Sequence, residues 1–326
     1  MNAFFQPASV LELPRYAGVP SFMRLPVLTP DHPRFGDVDI GIFGAPWDGG
    51  TTNRPGARHG PRGLRDASTM IRAMNPVTGV RPFEVANCAD LGDVGANPIG
   101  IEAGLDAITA HVAELARAGI RPLMAGGDHL CTLPVLRGLH AARGSSAPLG
   151  FVQFDAHTDL FDSYFGGQKL THGTPFRRAI EEELIDPDRM VQVGIRGSAA
   201  GTEDVDWGIA QGVRIIRIEE WADRGTPHVM AEVHERLGQA PAYATFDIDV
   251  VDPAYAPGTG TPEIGGVTSR EAQGLIRGLS GLNLVGADLV EVAPPFDPSG
   301  VTAWLGASLI FEILCIMASQ TPAQNA

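Results

Sequence analysis

Cysteine is scarce in this 326-residue sequence: Cys88, Cys131 and Cys315 are odd in number and far apart. Their spacing fits neither a disulfide framework nor a cysteine metal site, and a reducing, cytoplasmic setting suits it best. Basic residues are few as well, 24 against 38 acidic ones, giving a formal charge of −14 and a pI near 5.0. That balance argues against nucleic acid or an anionic membrane as partner and mildly favours a cationic small molecule. Long apolar runs are missing too. The most apolar stretch, 303–318, carries Glu312 and is too short and too polar for a membrane span, so it reads as a buried C-terminal helix. The start, Met1-Asn2-Ala3-Phe4-Phe5-Gln6-Pro7, has neither the basic region nor the apolar run of a signal peptide. No internal repeat, low-complexity tract or composition break marks a linker. What remains is ordinary for a globular enzyme: 44% apolar, 19% charged, mean hydropathy +0.03.

Six prolines among residues 1–36 forbid a long helix there, so this stretch is expected to be an extended arm lying over the body or a neighbouring subunit. Residues 37–326 read as one domain. Short apolar strands are predicted over 38–44, up to 93, and over 121–125, 149–154, 190–193, 213–218, 242–246 and 284–290. Helices are predicted from Pro61, over 101–118 and 131–143, from about Thr174, and over 229–237, 269–279 and 303–318. The helix near Thr174 is expected to expose Arg177, Arg178 and Glu181 to Glu183. Strands that lack a period of two and alternate with helices imply an α/β fold, a mostly parallel central sheet covered on both faces.

The chemistry centres on Phe246-Asp247-Ile248-Asp249-Val250-Val251-Asp252-Pro253. Two acids two apart at a strand end put both carboxylates on one side of the chain, a poor way to build a core and a good way to hold a hard cation. Two other strands end similarly, in Gly126-Gly127-Asp128-His129 and in Asp155-Ala156-His157-Thr158-Asp159. Ligands of open α/β sheets bind at the carboxyl ends of strands, so the three clusters can meet. Any one of these residues could be a turn former or a packed histidine. As a set, His129, Asp155, His157, Asp159, Asp247 and Asp249 exceed the needs of one ion and suit two divalent cations, which remove the repulsion among four buried acids.

These motifs, in this order and spacing, resemble the ureohydrolases of the arginase and agmatinase family over nearly the whole chain, from about Pro14 to Cys315. The resemblance implies a three-layer α/β/α fold and a binuclear manganese enzyme that hydrolyses a guanidino group to an amine and urea. It places His129 and Asp159 on one metal, His157 and Asp249 on the other, and Asp155 and Asp247 between them. It makes His172, in Thr171-His172-Gly173-Thr174, a proton shuttle, and gives Glu291, at a strand end, the substrate's nitrogens. On that reading His172→Asn lowers kcat and leaves the metals bound. A guanidinium carbon is a poor electrophile, and metal coordination lowers the pKa of water from about 16 towards 7, which supplies the hydroxide the reaction needs. Family members form trimers or hexamers, an assembly the arm would suit.

Substrate choice is less legible. Pro14-Arg15-Tyr16, Met70-Ile71-Arg72 and the run 171–184 resemble guanidino-acid hydrolases and bacterial agmatinases more than arginases. Residues 160–169 are the expected specificity loop, where Tyr164 stands at a position expected to hold a methionine. An aromatic there could stack on a guanidinium and shorten the pocket. This keeps a compact guanidine open beside a guanidino acid or agmatine, and nickel open beside manganese, since nitrogen and oxygen ligands accept both. Arg54, Arg58 and Arg62 either line the pocket mouth or brace the next helix, with bracing favoured. The stretch 259–263 is expected to shape the wall of the site. His32, His59, His111, His140, His228 and His234 match no ligand position. A one-zinc deacetylase using Asp155, His157 and Asp247, and a non-catalytic subunit of a mixed oligomer, are the readings from other classes.

Overall fold

The computed structural model describes residues 2–144 and 147–321. Eight strands form one sheet: β1 (Ile40–Gly44), β2 (Cys88–Asp93), β3 (Arg121–Ala125), β4 (Leu149–Phe154), β5 (Ile185–Ile195), β6 (Arg214–Arg217), β7 (Ala242–Asp247) and β8 (Leu284–Val290). Their order is β2-β1-β3-β8-β7-β4-β5-β6, and every pair is parallel. Ten α-helices accompany them among the described residues: α1 (Gly60–Ser68), α2 (Pro82–Val85), α3 (Ile101–Arg117), α4 (Thr132–Arg143), α5 (Pro175–Glu181), α6 (Glu203–Gln211), α7 (Ile218–Arg224), α8 (Thr226–Leu237), α9 (Ser269–Arg277) and α10 (Val301–Ser319).

Helices cover both faces, which is why strands such as β1 and β4 are buried at every residue and carry no polar alternation. One core packs α1, α2 and α7 to α10 against the sheet, and a second packs α3 to α5 on the opposite face, with Val205 and Trp207 of α6 at its margin. The result is the expected three-layer α/β/α arrangement. In α3, Leu105, Ile108, Val112 and Leu115 recur at helical spacing and make its buried stripe. A capping box, Thr268 with Glu271, opens α9.

α10 exceeds the apolar run read from the sequence, and by length and composition it could cross a membrane. Here it is packed inside the protein, and its acid, Glu312, is paired with Arg277 and accepts a hydrogen bond from Asn75 at 2.7 Å. Three helices escaped prediction. α2 is too short to show a period, and α6 opens with Glu203, Asp204 and Asp206 and reads as a polar loop. At α7 the expected strand 213–218 stops at Arg217 because Ile218, followed by Glu219 and Glu220, begins a helix with acids in its first turn. Arg178, expected on an exposed face, is buried: it donates to the Asp162 carbonyl at 2.8 Å and meets Glu181, which ties α5 to the loop before it. Residues 2–36 hold no α-helix or strand, only 3₁₀ helices, turns, irregular chain and a bridge from Val27 to Asp90, with Phe5, Phe22, Met23, Leu25 and Leu28 buried as anchors.

Candidate metal centre and active site

The strand register lines up the site. Ala125, Leu289, Phe246 and Phe154 form one row across β3, β8, β7 and β4. The residues just beyond that row are Gly126, Val290, Asp247 and Asp155, so four adjacent strands at the middle of the sheet deliver their carboxyl ends to one rim. In each cluster an aspartate turns the chain locally by accepting the main-chain N–H two residues on. Asp155 takes that of His157 at 2.6 Å, Asp247 that of Asp249 at 2.8 Å and Asp128 that of Leu130 at 3.1 Å.

All six candidate ligands converge. His129 Nδ1 lies 3.0 Å from Asp155, 3.0 Å from Asp159 and 3.1 Å from Asp247, each through an Oδ2. His157 Nδ1 lies 3.0 Å from Asp249 Oδ2 and 3.6 Å from Asp155 Oδ1. Two donor sets result, His129 with Asp155 and Asp247, and His157 with Asp155 and Asp249, so the two oxygens of Asp155 face different sets. His129, Asp155 and Asp249 form the buried floor, while His157, Asp159 and Asp247 also border a cavity of about 140 Å³.

Whether the donors fit a cation is decided at His129. Its Nδ1 is buried with no hydrogen-bond partner. Its Nε2 lies 2.9 Å from the Thr245 hydroxyl, whose own proton goes to Asp288, so in the neutral ring Nε2 carries the proton and Nδ1 is left with the lone pair. A lone pair facing three carboxylate oxygens is the arrangement a metal ion resolves. Asp288 is buried and also accepts from Tyr243 at 2.7 Å and Thr132 at 2.8 Å. It shares a sheet row with Thr245, Gln153 and Gln192, and there Gln192 donates to Gln153, which donates to Asp155 at 2.7 Å. A polar row through the middle of a sheet has a clear use here: it orients His129 and Asp155 from below.

Protons compete for the same atoms. Burial and then the charge of Asp155 push Asp159 up to about 6, and burial with the neighbouring carboxylates raises Asp247 and Asp249. Burial opposes charge on His129 and His157, but the carboxylates around them more than offset it and raise both.

Above this floor stand Glu291 and His172, which also border the cavity. Glu291 follows β8 directly and adopts φ +62°, a left-handed conformation that costs a non-glycine residue about 1–2 kcal/mol. Its N–H donates to Gly127 O at 2.8 Å, which helps to hold the turn. Glu291 Oε1 accepts from His129 N at 2.9 Å and lies 2.8 Å from His172 Nδ1; its Oε2 is buried with no partner. Burial disfavours charge on His172, but Glu291, with Asp128 and Asp159, outweighs it and pushes the pKa up to about 9. Phe161, Tyr164, Thr52, Gly173 and Thr261 complete the cavity wall. Gly173 is needed for space, since a side chain there would meet the Tyr164 hydroxyl at 2.8 Å.

A profile described as the Arginase family matches residues 38–316. The chain belongs to the arginase family. Among its relatives in that family, guanidinopropionase of Pseudomonas aeruginosa is 51% identical over 313 residues, with 96% of each chain covered. Guanidinobutyrase of the same organism is 46% identical over the same shares. The solved structure of proclavaminate amidinohydrolase from Streptomyces clavuligerus is 41% identical and superposes with a TM-score of 0.86, covering 94% of this chain and 99% of that one.

Other arginine and histidine positions fall outside the centre. Arg54 braces the wall by donating to Gly260 O at 3.1 Å and Thr259 O at 2.6 Å over the Phe296 ring, and Arg58 pairs with Asp48. His111 packs on Phe43, His228 meets the Arg224 carbonyl and His234 the Gly278 carbonyl. The sequence reading passed over Thr245, Asp288, Gln153 and Thr52. Only Asp288 and Gln153 left a signal, as polar residues inside runs otherwise apolar enough to be buried strands.

Proposed function

We propose that this arginase-family chain is a binuclear-metal amidinohydrolase that cleaves the C–N bond of a short guanidino acid to give an amine and urea. The observation that carries the reading is the buried His129 Nδ1, without a hydrogen-bond partner and 3.0–3.1 Å from the carboxylates of Asp155, Asp159 and Asp247. His129 and Asp159 would hold one ion and His157 and Asp249 the other. The split oxygens of Asp155 support its sharing between them; for Asp247 the sharing rests on the family resemblance. Manganese is the proposed metal, with nickel the alternative for the same donor set.

Bound there, the metal pair supplies a nucleophile from water at neutral pH. The chain's residues do the rest. Glu291 Oε2, buried and unpartnered on the cavity wall, accepts guanidinium N–H groups. His172 moves a proton toward the leaving nitrogen. Tyr164, packed edge-on against Phe161 at 5.2 Å, narrows the cavity and favours a short tail. Higher identity to guanidinopropionase than to guanidinobutyrase agrees with that. One observation favours a second reading, a compact guanidine: among the described residues, no Lys or Arg lines the cavity to meet a carboxylate.

Urea release from 3-guanidinopropionate, 4-guanidinobutyrate, agmatine, arginine, guanidine and biguanide, each with manganese- and nickel-loaded protein, tests both. 3-Guanidinopropionate is expected to be fastest; guanidine ahead of every guanidino acid selects the second reading, and no urea from any compound under either metal overturns both. The arm over residues 1–36 is proposed to serve a trimeric or hexameric assembly of the domain 37–326, a reading supported by its exposed Leu11, Tyr16 and Val19. Cys88, Cys131 and Cys315, free and buried, support a reducing compartment such as the cytoplasm.

A further inference from the structure

Both ring nitrogens of His172 are already engaged by the protein. Nδ1 faces Glu291 Oε1 at 2.8 Å, and Nε2 receives the main-chain N–H of Thr52 at 3.1 Å and lies 2.7 Å from the Thr52 hydroxyl. A main-chain N–H can only donate, so in the neutral ring Nε2 is the acceptor and the proton sits on Nδ1; a second proton, favoured by the acids around the ring, goes to Nε2 beside the Thr52 hydroxyl. A histidine with no spare nitrogen reaches a substrate only through one of its partners. On the Nδ1 side the partner oxygen is also committed to His129 N. On the Nε2 side the partner is a hydroxyl on a half-buried residue that borders the same cavity as His172 and Glu291.

The loop that presents Thr52 is held in register with the site. Asp128 accepts Gly50 N at 2.7 Å, and the His172 N–H donates to Gly50 O at 2.9 Å. Thr52 is therefore locked to the residues it would serve, although it lies 120 positions from His172 in the chain.

We propose that the Thr52 hydroxyl is the outer member of a proton line, Glu291 to His172 to Thr52, through which the ring exchanges its proton with the reacting groups. This rests on the amidinohydrolase reading above. Water attacking the guanidinium gives up a proton. The Thr52 Oγ–H passes to Nε2 as Oγ accepts that proton, and the reverse transfer delivers it to the leaving nitrogen, so the hydroxyl and the imidazole end each turnover unchanged. A hydroxyl suits both directions because it donates to a bare Nε2 and accepts from a protonated one. The main-chain N–H of Thr52 favours the bare form while Glu291, Asp128 and Asp159 favour the protonated one, so the ring is held in a balance from which the proton can move either way.

The test is a double-mutant cycle on the metal-loaded enzyme with its best guanidino substrate, using Thr52→Val and His172→Asn singly and together, with bound metal measured in each. Thr52→Val is expected to lower kcat about 10- to 100-fold, within the range of general acid–base effects. KM and metal content stay within about twofold, Thr52→Ser restores most of the rate, and Thr52→Val costs nothing further once His172 is asparagine. Thr52→Ala, which adds no bulk, repeats the comparison should valine disturb the loop. A wild-type kcat in Thr52→Val and Thr52→Ala, an equal fold loss with and without His172, or failure of serine to rescue overturns the proton line and leaves the amidinohydrolase reading standing. No urea release by the wild type overturns both.

Discussion

Thr245 shows how much of this centre depends on residues that never touch the reaction. Its hydroxyl gives its proton to Asp288 and so fixes which nitrogen of His129 is bare. Thr245→Val, close in shape, is expected to leave the fold intact and weaken metal binding about 10- to 100-fold, read by competition with a chelator. An unchanged affinity would mean that the tautomer is set elsewhere. The candidate ligands were legible because acids and histidines clustered within about five residues of a buried strand's end are costly without a partner, and three such clusters share one need. Thr245 and Thr52 were not legible. A threonine inside a β-strand or a glycine-rich loop is ordinary, and its role appears only when its distant partner is in place.

Strand ends and turns do the positioning. The motif Gly126-Gly127 lets the turn after β3 pass against another segment of backbone: a side chain at Gly127 would fall 1.7 Å from the Trp47 carbonyl oxygen. The Gly127 carbonyl also receives the Glu291 N–H, so a shift here moves both His129 and Glu291. Gly127→Ala is expected to lower stability by about 3 kcal/mol or more, at or above the upper end of overpacking costs, seen as a lower melting temperature and a reduced yield of metal-loaded protein. Wild-type melting in that variant would show that the turn can open. β3, β4 and β8 matched their expected limits because, apart from Arg121, Gln153 and Asp288, these buried parallel strands are apolar and are followed by glycine or charged residues. α2 and α6 were missed for the opposite reason, being too short or too polar for a buried face to show. Arg178 was placed on the outside because its charge suggests solvent, whereas the loop over residues 160–169 folds back to cover it.

For the molecule as a whole, four buried aspartates at one rim make folding and metal binding a linked problem. Any ligand that binds only the folded state stabilises it, by about 2.7 kcal/mol at a hundredfold excess over Kd. Chelation is therefore expected to lower the melting temperature by several degrees, and manganese to restore it. Proton competition gives the direction with pH. Asp159 is raised to about 6, so below that it carries a proton that the metal must displace. Metal affinity should therefore fall as pH drops through that value, and it should go on rising above it while His129 and His157, both raised, lose their protons. Titration calorimetry at pH 5.5 and 7.5 checks this, and equal affinities at the two values would contradict it.

From the sequence alone came the fold class and the six candidate ligands, because the costs that mark them are local: apolar runs, adjacent acids and strand-end turns; His172 and Glu291 came from the family resemblance. Tertiary structure alone decided which oxygen faces which histidine, that Glu291 Oε2 is left free, and that Thr52 closes over His172. Those facts depend on four parallel strands sharing one register and on a loop locked to residues more than a hundred positions away. Local chemistry can state that a cation is needed at Asp247 and Asp249, but only the packed sheet brings the other four ligands to meet it.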